Sequence, residues 1–355
     1  MTGQSSAFQL QGVSKHYGSV AALQDISLAI EGSEYISLLG PSGSGKTTLL
    51  RVIAGFEQPD SGRVIFDGRD ITQLPAHQRG IGFVFQNFAL FPHLSVLDNV
   101  AFGLVNAATP PPQPQIDQRC HDIIALVGLS GLEGRSVHQI SGGQKQRVAL
   151  ARTLVMAPKL VLLDEPLGAL DANLRQRMRA ELRAIRASLG VTFLHVTGSE
   201  TEALAMGDRA VVLDAGRIAQ FARPEEIYAA PATPNVAHFL NRFNMFDGVL
   251  KGDTFTGALG KIKVTGVKPS RRAAYGIRYD RTRVQPAGTP VSGPSLQATY
   301  VASEYLGSSV MNFFAAADGQ LIEVEHHISL GAPQTYVPKT DYTLHWNPAD
   351  AIVFG

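Results

Sequence analysis

Among 355 residues there is one cysteine, Cys120, and one tryptophan. A single thiol excludes an internal disulfide and points to a reducing compartment, so the cytoplasm is the expected location. Charge of either sign is not in excess: 31 Lys and Arg against 30 Asp and Glu leave a formal net charge of +1. That balance argues against a nucleic-acid coat or a polybasic tail, and no nucleic-acid partner is expected. Long apolar runs are missing too. Stretches such as Leu160 to Leu163 and Ala210 to Leu213 fall far short of the roughly 18–20 residues a bilayer span needs, so no crossing is expected. Met1 to Gly12 carries neither a basic cap nor an apolar stretch nor a small-residue cleavage site, so no secretory signal is read there. What the chain has in excess is glycine, 35 residues against an average of about 7%. Several of those glycines fall in short motifs beside strands and helices, and their positions say more than their number.

The length allows two or three domains, and 45% hydrophobic content is ample for packed cores. From Phe8 to about Tyr228, short apolar runs alternate with helical patterns, the rhythm of a parallel-rich sheet with crossover helices. Tyr35 to Leu39, Val161 to Leu163 and Thr192 to Val196 are apolar on successive residues, as expected of central strands buried on both faces. Ala107 to Gln115 reads AATPPPQPQ and is expected to be a semi-rigid surface loop, with a helix resuming at Ile116. Asp214, Ala215 and Gly216 between two alternating runs predict a hairpin. Past about Phe239 the pattern changes to short alternating strands with Gly, Pro and Asp turns, predicting an all-β barrel-like module. The predicted fold class is therefore α/β followed by an all-β barrel, with domains over 1–238 and 239–355. The adjacent His326 and His327 point to opposite faces of a strand and are read as ordinary strand residues.

Gly40-Pro41-Ser42-Gly43-Ser44-Gly45-Lys46-Thr47 fits G-x-x-x-x-G-K-[ST], after an apolar strand and before a helical run, which is the context the motif requires. Such a loop turns consecutive backbone N–H groups toward one centre, and the following helix adds its positive end, so the expected ligand is a polyphosphate. Lys46 is expected to reach the β and γ phosphates and Thr47 to hold Mg²⁺, with Thr48 a further phosphate contact. Lys159-Leu-Val-Leu-Leu-Asp164-Glu165-Pro166 places two carboxylates at the carboxyl end of an apolar strand, where ligands of α/β proteins collect. Asp164 suits the Mg²⁺ shell, and Glu165 suits a general base acting on the attacking water.

Ile140-Ser141-Gly142-Gly143-Gln144-Lys145-Gln146-Arg147 lies between these two motifs, and the set resembles the ABC transporter ATPases over nearly the whole chain. Ser141 and two glycines before a helix form a second anion-binding helix start. In the family that start completes the site of a partner subunit, so the resemblance implies a head-to-tail homodimer with two sandwiched ATP molecules. Three further residues match the family pattern. Tyr17 in Ser14-Lys-His-Tyr17-Gly18 resembles the aromatic that stacks on adenine. Gln86 in Val84-Phe85-Gln86 resembles the glutamine that touches Mg²⁺ and water. Asp171 in Leu167-Gly168-Ala169-Leu170-Asp171 resembles the residue that links the two sites.

One position departs. Where the family has a histidine contacting the γ phosphate, this chain reads His195-Val196-Thr197-Gly198-Ser199-Glu200, with Gly198 in that place. Losing a preorganised contact of that kind costs roughly 10²–10³ in rate. This leaves two readings: hydrolysis sustained by Glu165, with His195, Ser199 or Glu200 as substitutes, or an ATP-gated dimerising clamp that hardly hydrolyses.

The stretch from Asn87 to Val100 is rich in large apolar side chains, and the resemblance makes it the start of a helical subdomain over about 88–158 with a groove for a membrane partner. Arg175, Arg179, Arg183 and Arg186 recur at near-helical spacing and are read as a solvated helix face, with Glu181 placed to pair with Arg177. The final module, with Gly276-Ile-Arg278-Tyr279-Asp280, Glu304-Tyr-Leu-Gly307-Ser308 and Trp346-Asn-Pro348, resembles the TOBE domain of importer ATPases, although Arg278-Tyr279-Asp280 departs from the usual Arg-Pro-Glu. The resemblance thus implies an ATPase powering an importer at the cytoplasmic face of the inner membrane. Its implied partners are two integral-membrane permease subunits and a solute-binding protein. Leu74 to Gly82 and Phe85 to Pro92 look most like the polyamine, ferric-ion and phosphonate importers.

Overall fold

A computed structural model describes residues 8–168, 170–240, 242–264 and 269–355. Met1 to Ala7, part of the stretch read for a secretory signal, and Ala169 lie outside the described residues. The chain divides into two compact units, Met1–Ile227 and Tyr228–Gly355.

The first unit holds two sheets. In the four-stranded one, β1 (Phe8–Tyr17) lies antiparallel between β2 (Val20–Ile30) and β4 (Ser61–Phe66), with β5 (Arg69–Asp70) on the edge. The six-stranded sheet contains β3 (Tyr35–Leu39), β6 (Ile81–Val84), β7 (Leu160–Asp164), β8 (Thr192–Val196), β9 (Arg209–Asp214) and β10 (Arg217–Ala222). Their order across the sheet is β10-β9-β3-β8-β7-β6. All neighbours are parallel except β9 and β10, which form the hairpin expected at Asp214 to Gly216. The three runs expected as central strands are central: β3 and β8 are buried at every position, and β7 at all but Asp164. The β3, β7 and β8 strands end together, which gathers the loops that follow them at one sheet edge.

Helix α1 (Lys46–Ala54) follows β3 directly and buries Leu49, Leu50, Val52 and Ile53. Its end is held by Arg79, 3% exposed, whose guanidinium donates to Val52 O (2.7 Å), Ile53 O (2.9 Å), Thr72 O (2.8 Å) and Leu74 O (2.8 Å). One cation thus satisfies the terminal carbonyls of the helix whose other end shapes the phosphate loop. Arg79→Met should therefore destabilise the protein by roughly 3–5 kcal/mol, since several buried carbonyls lose their donor at once; a denaturant melt monitored at constant m-value measures it.

Helices α2 (Val96–Val105), α3 (Gln113–Leu126) and α4 (Gly142–Leu154) cluster around Val100, Leu104, Ile116, Cys120, Ile124 and Leu150. The proline-rich segment differs from expectation at its end: Gln113, Pro114 and Gln115 form the first turn of α3. A proline there gives up only an N–H that has no intrahelical partner, so the ring is tolerated. Helix α5 (Ala172–Leu189) and the short α6 (Glu200–Met206) flank β8 in sequence. Glu181 pairs with Arg147 of α4 at 2.6 Å, not with Arg177. Nor is the arginine row merely solvated: Arg175 donates to Leu170 O, Arg183 to Ala205 O, and Arg186 to Ser33 O and Asp208. Three of them bind groups outside their own helix that the periodicity alone does not reveal.

Helix α7 (Pro224–Ala229) carries the division between the units. The second unit begins ahead of residue 238 because α8 (Pro234–Phe239) belongs to it, Ala237 packing with Phe243, Ala274 and Phe354. Two five-stranded antiparallel sheets make up the rest. One orders β13 (Gly260–Lys263), β12 (Thr254–Gly257), β11 (Phe243–Lys251), β14 (Ser270–Arg278) and β20 (Ala351–Phe354). The other orders β15 (Arg283–Pro286), β19 (Asp341–His345), β16 (Ser295–Tyr305), β17 (Ser309–Ala316) and β18 (Leu321–His327). Trp346, 1% exposed, sits in their core and donates its indole N–H to Tyr275 Oη at 2.9 Å. Arg278 grips Asp280 through two hydrogen bonds (2.9 and 2.6 Å), so the departure at Arg278-Tyr279-Asp280 still carries an arginine–carboxylate fork.

Candidate functional site

The phosphate loop occupies the turn from β3 into α1. Gly40, Gly43 and Gly45 have φ of 150°, 79° and 102°, and a Cβ on Gly40 or Gly45 would lie 2.2 Å from Leu213 O or 2.4 Å from Ala22 O. Only glycine fits these two places, for reasons of both conformation and space. Ser44 Oγ is buried with no hydrogen-bond partner among the described residues. Lys46 curls over the loop, donating to Gly40 O (2.8 Å) and Pro41 O (2.9 Å). Burial lowers its ammonium pKa, and the facing Glu165 carboxylate opposes that shift. Thr47 is exposed and Thr48 half-buried on the same turn, while Pro41 and Ser42 are exposed at its rim.

Asp164 ends β7, and Glu165 follows with φ 45°, a left-handed conformation unusual for a side-chain-bearing residue. Backbone strain of this sort, about 1–3 kcal/mol, collects where a side chain must be aimed. The Glu165 N–H is tied to Val196 O at 3.0 Å, and its carboxylate accepts from Gln86 Nε2 at 3.0 Å. Gln86 is thus bonded to Glu165, and the Glu165 charge acts on Lys46. Burial raises the Asp164 pKa, Glu165 adds to the rise and Arg51 opposes it. A carboxyl group with a raised folded-state pKa destabilises the protein when ionised, so stability increases as pH falls through that pKa. Asp164→Asn should therefore raise the melting temperature of the nucleotide-free protein by roughly 2–4 °C. Thermal melts with and without ATP and Mg²⁺ check both that gain and the loss of the Mg²⁺-dependent increment.

The loop after Gln86 holds a feature that sequence motifs do not announce. Phe88 and Ala89 are successive left-handed residues (φ 64° and 47°), and Arg152 of α4 donates to both their carbonyls at 2.9 and 2.8 Å. Arginine in a helical run carries no local signal for this contact, because its partners lie more than sixty positions away.

Ser141 caps α4 in a reciprocal box with Gln144: Ser141 N donates to Gln144 Oε1 at 2.8 Å and Gln144 N to Ser141 Oγ at 3.3 Å. Ser141 and Gly142 are exposed, whereas Gly143 is buried, and a Cβ there would meet Leu174 of α5 at 3.0 Å. Asp171, the N-cap of α5, accepts from Leu174 N at 2.9 Å, so this corner and Asp171 share one packing unit. Among the described residues, no hydrogen bond or ion pair joins this corner to the phosphate loop. Tyr17 ends β1, half-exposed, with the Lys15 ammonium 5.6 Å from its ring centre.

Gly198 is exposed, its φ lies outside the left-handed region, and a Cβ there would meet nothing within 4 Å. The backbone does not demand glycine. His195 is no stand-in: it is fully buried, against Tyr35 and Glu202. Ser199 caps α6 through Glu202 N.

A phosphate cradle after β3, a strained carboxylate after β7, the next strand but one, and a glutamine bonded to it define a P-loop nucleotide hydrolase. The family described as ABC transporter matches residues 23–168, and that described as TOBE domain matches 275–354. The chain is 41% identical to a spermidine/putrescine import ATP-binding protein of Rubrobacter xylanophilus, over 99% of this chain and 95% of that one. It is also 41% identical to an Fe(3+) ions import ATP-binding protein of Rhizobium etli, over 94% of each, and 45% identical to a sulfate/thiosulfate import ATP-binding protein of Caulobacter vibrioides, over 76% and 80%. A dimeric ATP-binding cassette in a post-hydrolysis state with ADP and phosphate superposes with a TM-score of 0.54 at 31% identity, covering 61% of this chain and 98% of that one. The chain belongs to the ABC transporter family, as an import ATP-binding subunit with a C-terminal TOBE domain. It is an ATPase coupled to transport, and the comparisons do not support the non-hydrolysing clamp. Among the described residues no helix is long and apolar enough to cross a membrane.

Proposed function

We propose that two copies of the chain bind two ATP molecules head to tail, each between the phosphate loop of one copy and the Ser141 corner of the other. The observation that carries this is the separation of two anion-binding helix starts within one chain: Gly40 to Thr48 lies beside Glu165, whereas Ser141, Gly142, Gly143 and Gln144 form a separate corner, unbonded to it. Tyr17 would offer its ring to adenine, and Asp171 would relay between the two sites.

The donor set also suits Mg²⁺. Asp164, Thr47 and Gln86 present hard oxygen atoms beside a cradle whose Ser44 Oγ is buried and unpaired. The ion would supply charge neutralisation on the phosphates. Within the chain, Lys46 holds the phosphate charge, Glu165 takes the proton of the attacking water, and Gln86 orients both that water and Glu165.

The dimer sits at the cytoplasmic face of the inner membrane beneath two integral-membrane permeases, with a solute-binding protein acting on the far side. Supporting a permease contact, a cavity of about 710 Å³ opens beside β6, lined by Arg69, His77, Phe83, Arg152 and Met156 among others. Phe56, Phe85, Phe102 and Met156 are exposed, and Phe56, Phe83 and Phe85 form one aromatic cluster in which Phe56 stacks on Phe85 and meets Phe83 edge-on. Exposed apolar surface of this kind marks a partner site. The solute is a small polar one, with polyamine, ferric ion and phosphonate the candidates; similar proteins are named for spermidine/putrescine, Fe(3+) ions and sulfate/thiosulfate.

Gly198→His tests the hydrolytic reading. The side chain has room, so the melting temperature should not fall. Turnover in the assembled transporter should rise at least about tenfold, a well-aligned donor to developing charge being worth roughly 10²–10³. Unchanged turnover in a folded variant would mean that another group already does that work.

A further inference from the structure

Behind the loop at Gly198 lies a buried polar cluster that supplies no group to the reaction itself. His195 sits in the middle of β8 with no exposed side-chain surface. Its Nδ1 is 2.9 Å from the hydroxyl of Tyr35 on β3, and its Nε2 is 2.8 Å from Oε1 of Glu202 on α6, whose side chain is 5% exposed. The Tyr35 hydroxyl also approaches Met206 Sδ at 3.8 Å, and Arg183 reaches Ala205 O at 3.1 Å, so three elements converge on α6. Burial pushes the Tyr35 phenol well above its ordinary pKa, the Glu202 charge adding to the rise and Arg183 opposing it. Tyr35 therefore stays protonated.

A polar trio in that position is expensive: charges removed from water need excellent pairing, and well-packed apolar side chains of similar volume generally stabilise at least as well. What such a pair does supply is a unique register. Glu202 is bonded through its backbone N–H to Ser199 Oγ at 3.3 Å, and its carboxylate lies against His195 Nε2 at 2.8 Å, close enough to pair but without hydrogen-bond alignment. The first turn of α6 is thereby fixed to the sheet. Gly198 and Ser199 lead directly into that turn, and the strand before them is bonded on both sides to the reaction site. Thr197 N donates to Leu38 O next to the phosphate loop, and Val196 O accepts from Glu165 N.

We propose that His195 is a positioning residue for ATP hydrolysis, which acts through Glu202 to hold the Gly198–Ser199 backbone against Glu165 and the phosphate loop. With no side chain at residue 198 to reach the phosphate, the loop is placed from behind. The inference rests on the hydrolytic reading, with Glu165 as the base.

The test uses the full chain assembled with its membrane partners. The double variant His195→Phe/Glu202→Met removes the pair at nearly constant volume. It should fold with a melting temperature near wild type and bind ATP with unchanged affinity, yet its kcat should drop about tenfold or more at unchanged KM, as expected when a loop slips by about 1 Å from its working position. His195→Gln, which keeps a polar side chain against Glu202, should stay within about threefold of wild type. A folded double variant with kcat within twofold of wild type overturns the proposal, as does a parallel loss of ATP affinity, which signals general damage to the fold. Should the double variant not fold, Glu202→Gln decides, because full kcat after loss of that charge contradicts the proposal and a selective kcat loss supports it. Glu165→Gln run alongside separates the two ideas: full activity in that variant defeats the hydrolytic reading whatever His195 does.

Discussion

Glu165→Gln should lower phosphate release by about 10²–10⁴-fold while ATP binding persists. The substitution keeps the shape of a side chain already in contact with Gln86 at 3.0 Å and leaves the backbone bond to Val196 O in place, so it removes basicity and little else. The strained φ of 45° at this residue is evidence that its aim is set by the surroundings and not by its own side chain. Because the amide still binds ATP without hydrolysing it, the ATP-bound dimer should accumulate and be visible by size-exclusion chromatography in ATP and Mg²⁺. A variant retaining a third or more of wild-type turnover would place the base elsewhere.

Lys46→Ala should weaken ATP binding by roughly 30- to 10³-fold, the cost of truncating one member of a close charge pair. The lysine's own bonds to Gly40 O and Pro41 O show it folded over the cradle, and its charge faces Glu165. The empty protein should melt near the wild-type temperature, since the truncation removes only two hydrogen bonds of a half-buried side chain to its own loop. The rise in melting temperature that ATP confers on the wild type should vanish with the affinity. Isothermal titration together with thermal melts separates loss of binding from loss of fold.

Both residues are legible in the sequence because local motifs fix their backbone context. A glycine pattern between a strand and a helix, and a carboxylate pair at a strand end, each describe a nearly complete piece of geometry. The central strands are legible for a similar reason, buried parallel strands being apolar at every position. What escapes are contacts between distant residues. Arg79 and Arg152 look like ordinary surface arginines until the fold brings distant carbonyls to them, buried ones in the case of Arg79, and Glu181 takes as its partner Arg147 of α4, which no local spacing reveals. His195 is a candidate substitute for the missing side chain at Gly198 on sequence proximity alone, but an inward-facing strand position buries it. The start of α3 is hidden because three neighbouring prolines look like helix breakers over a whole segment, although the cost of a proline vanishes in the first turn.

The central claim is that each ATP site is built from two chains, and mixing two crippled variants tests it most directly. Lys46→Ala chains lack a working phosphate loop but keep the Ser141 corner; Ser141→Arg chains have the reverse defect. In a head-to-tail dimer a mixed pair contains one fully intact site and one doubly damaged site. Random pairing should therefore restore up to about a quarter of wild-type ATPase activity on mixing, far above either variant alone. If the mixture hydrolyses ATP no faster than the two variants measured separately, the site is complete within one chain and the account is wrong.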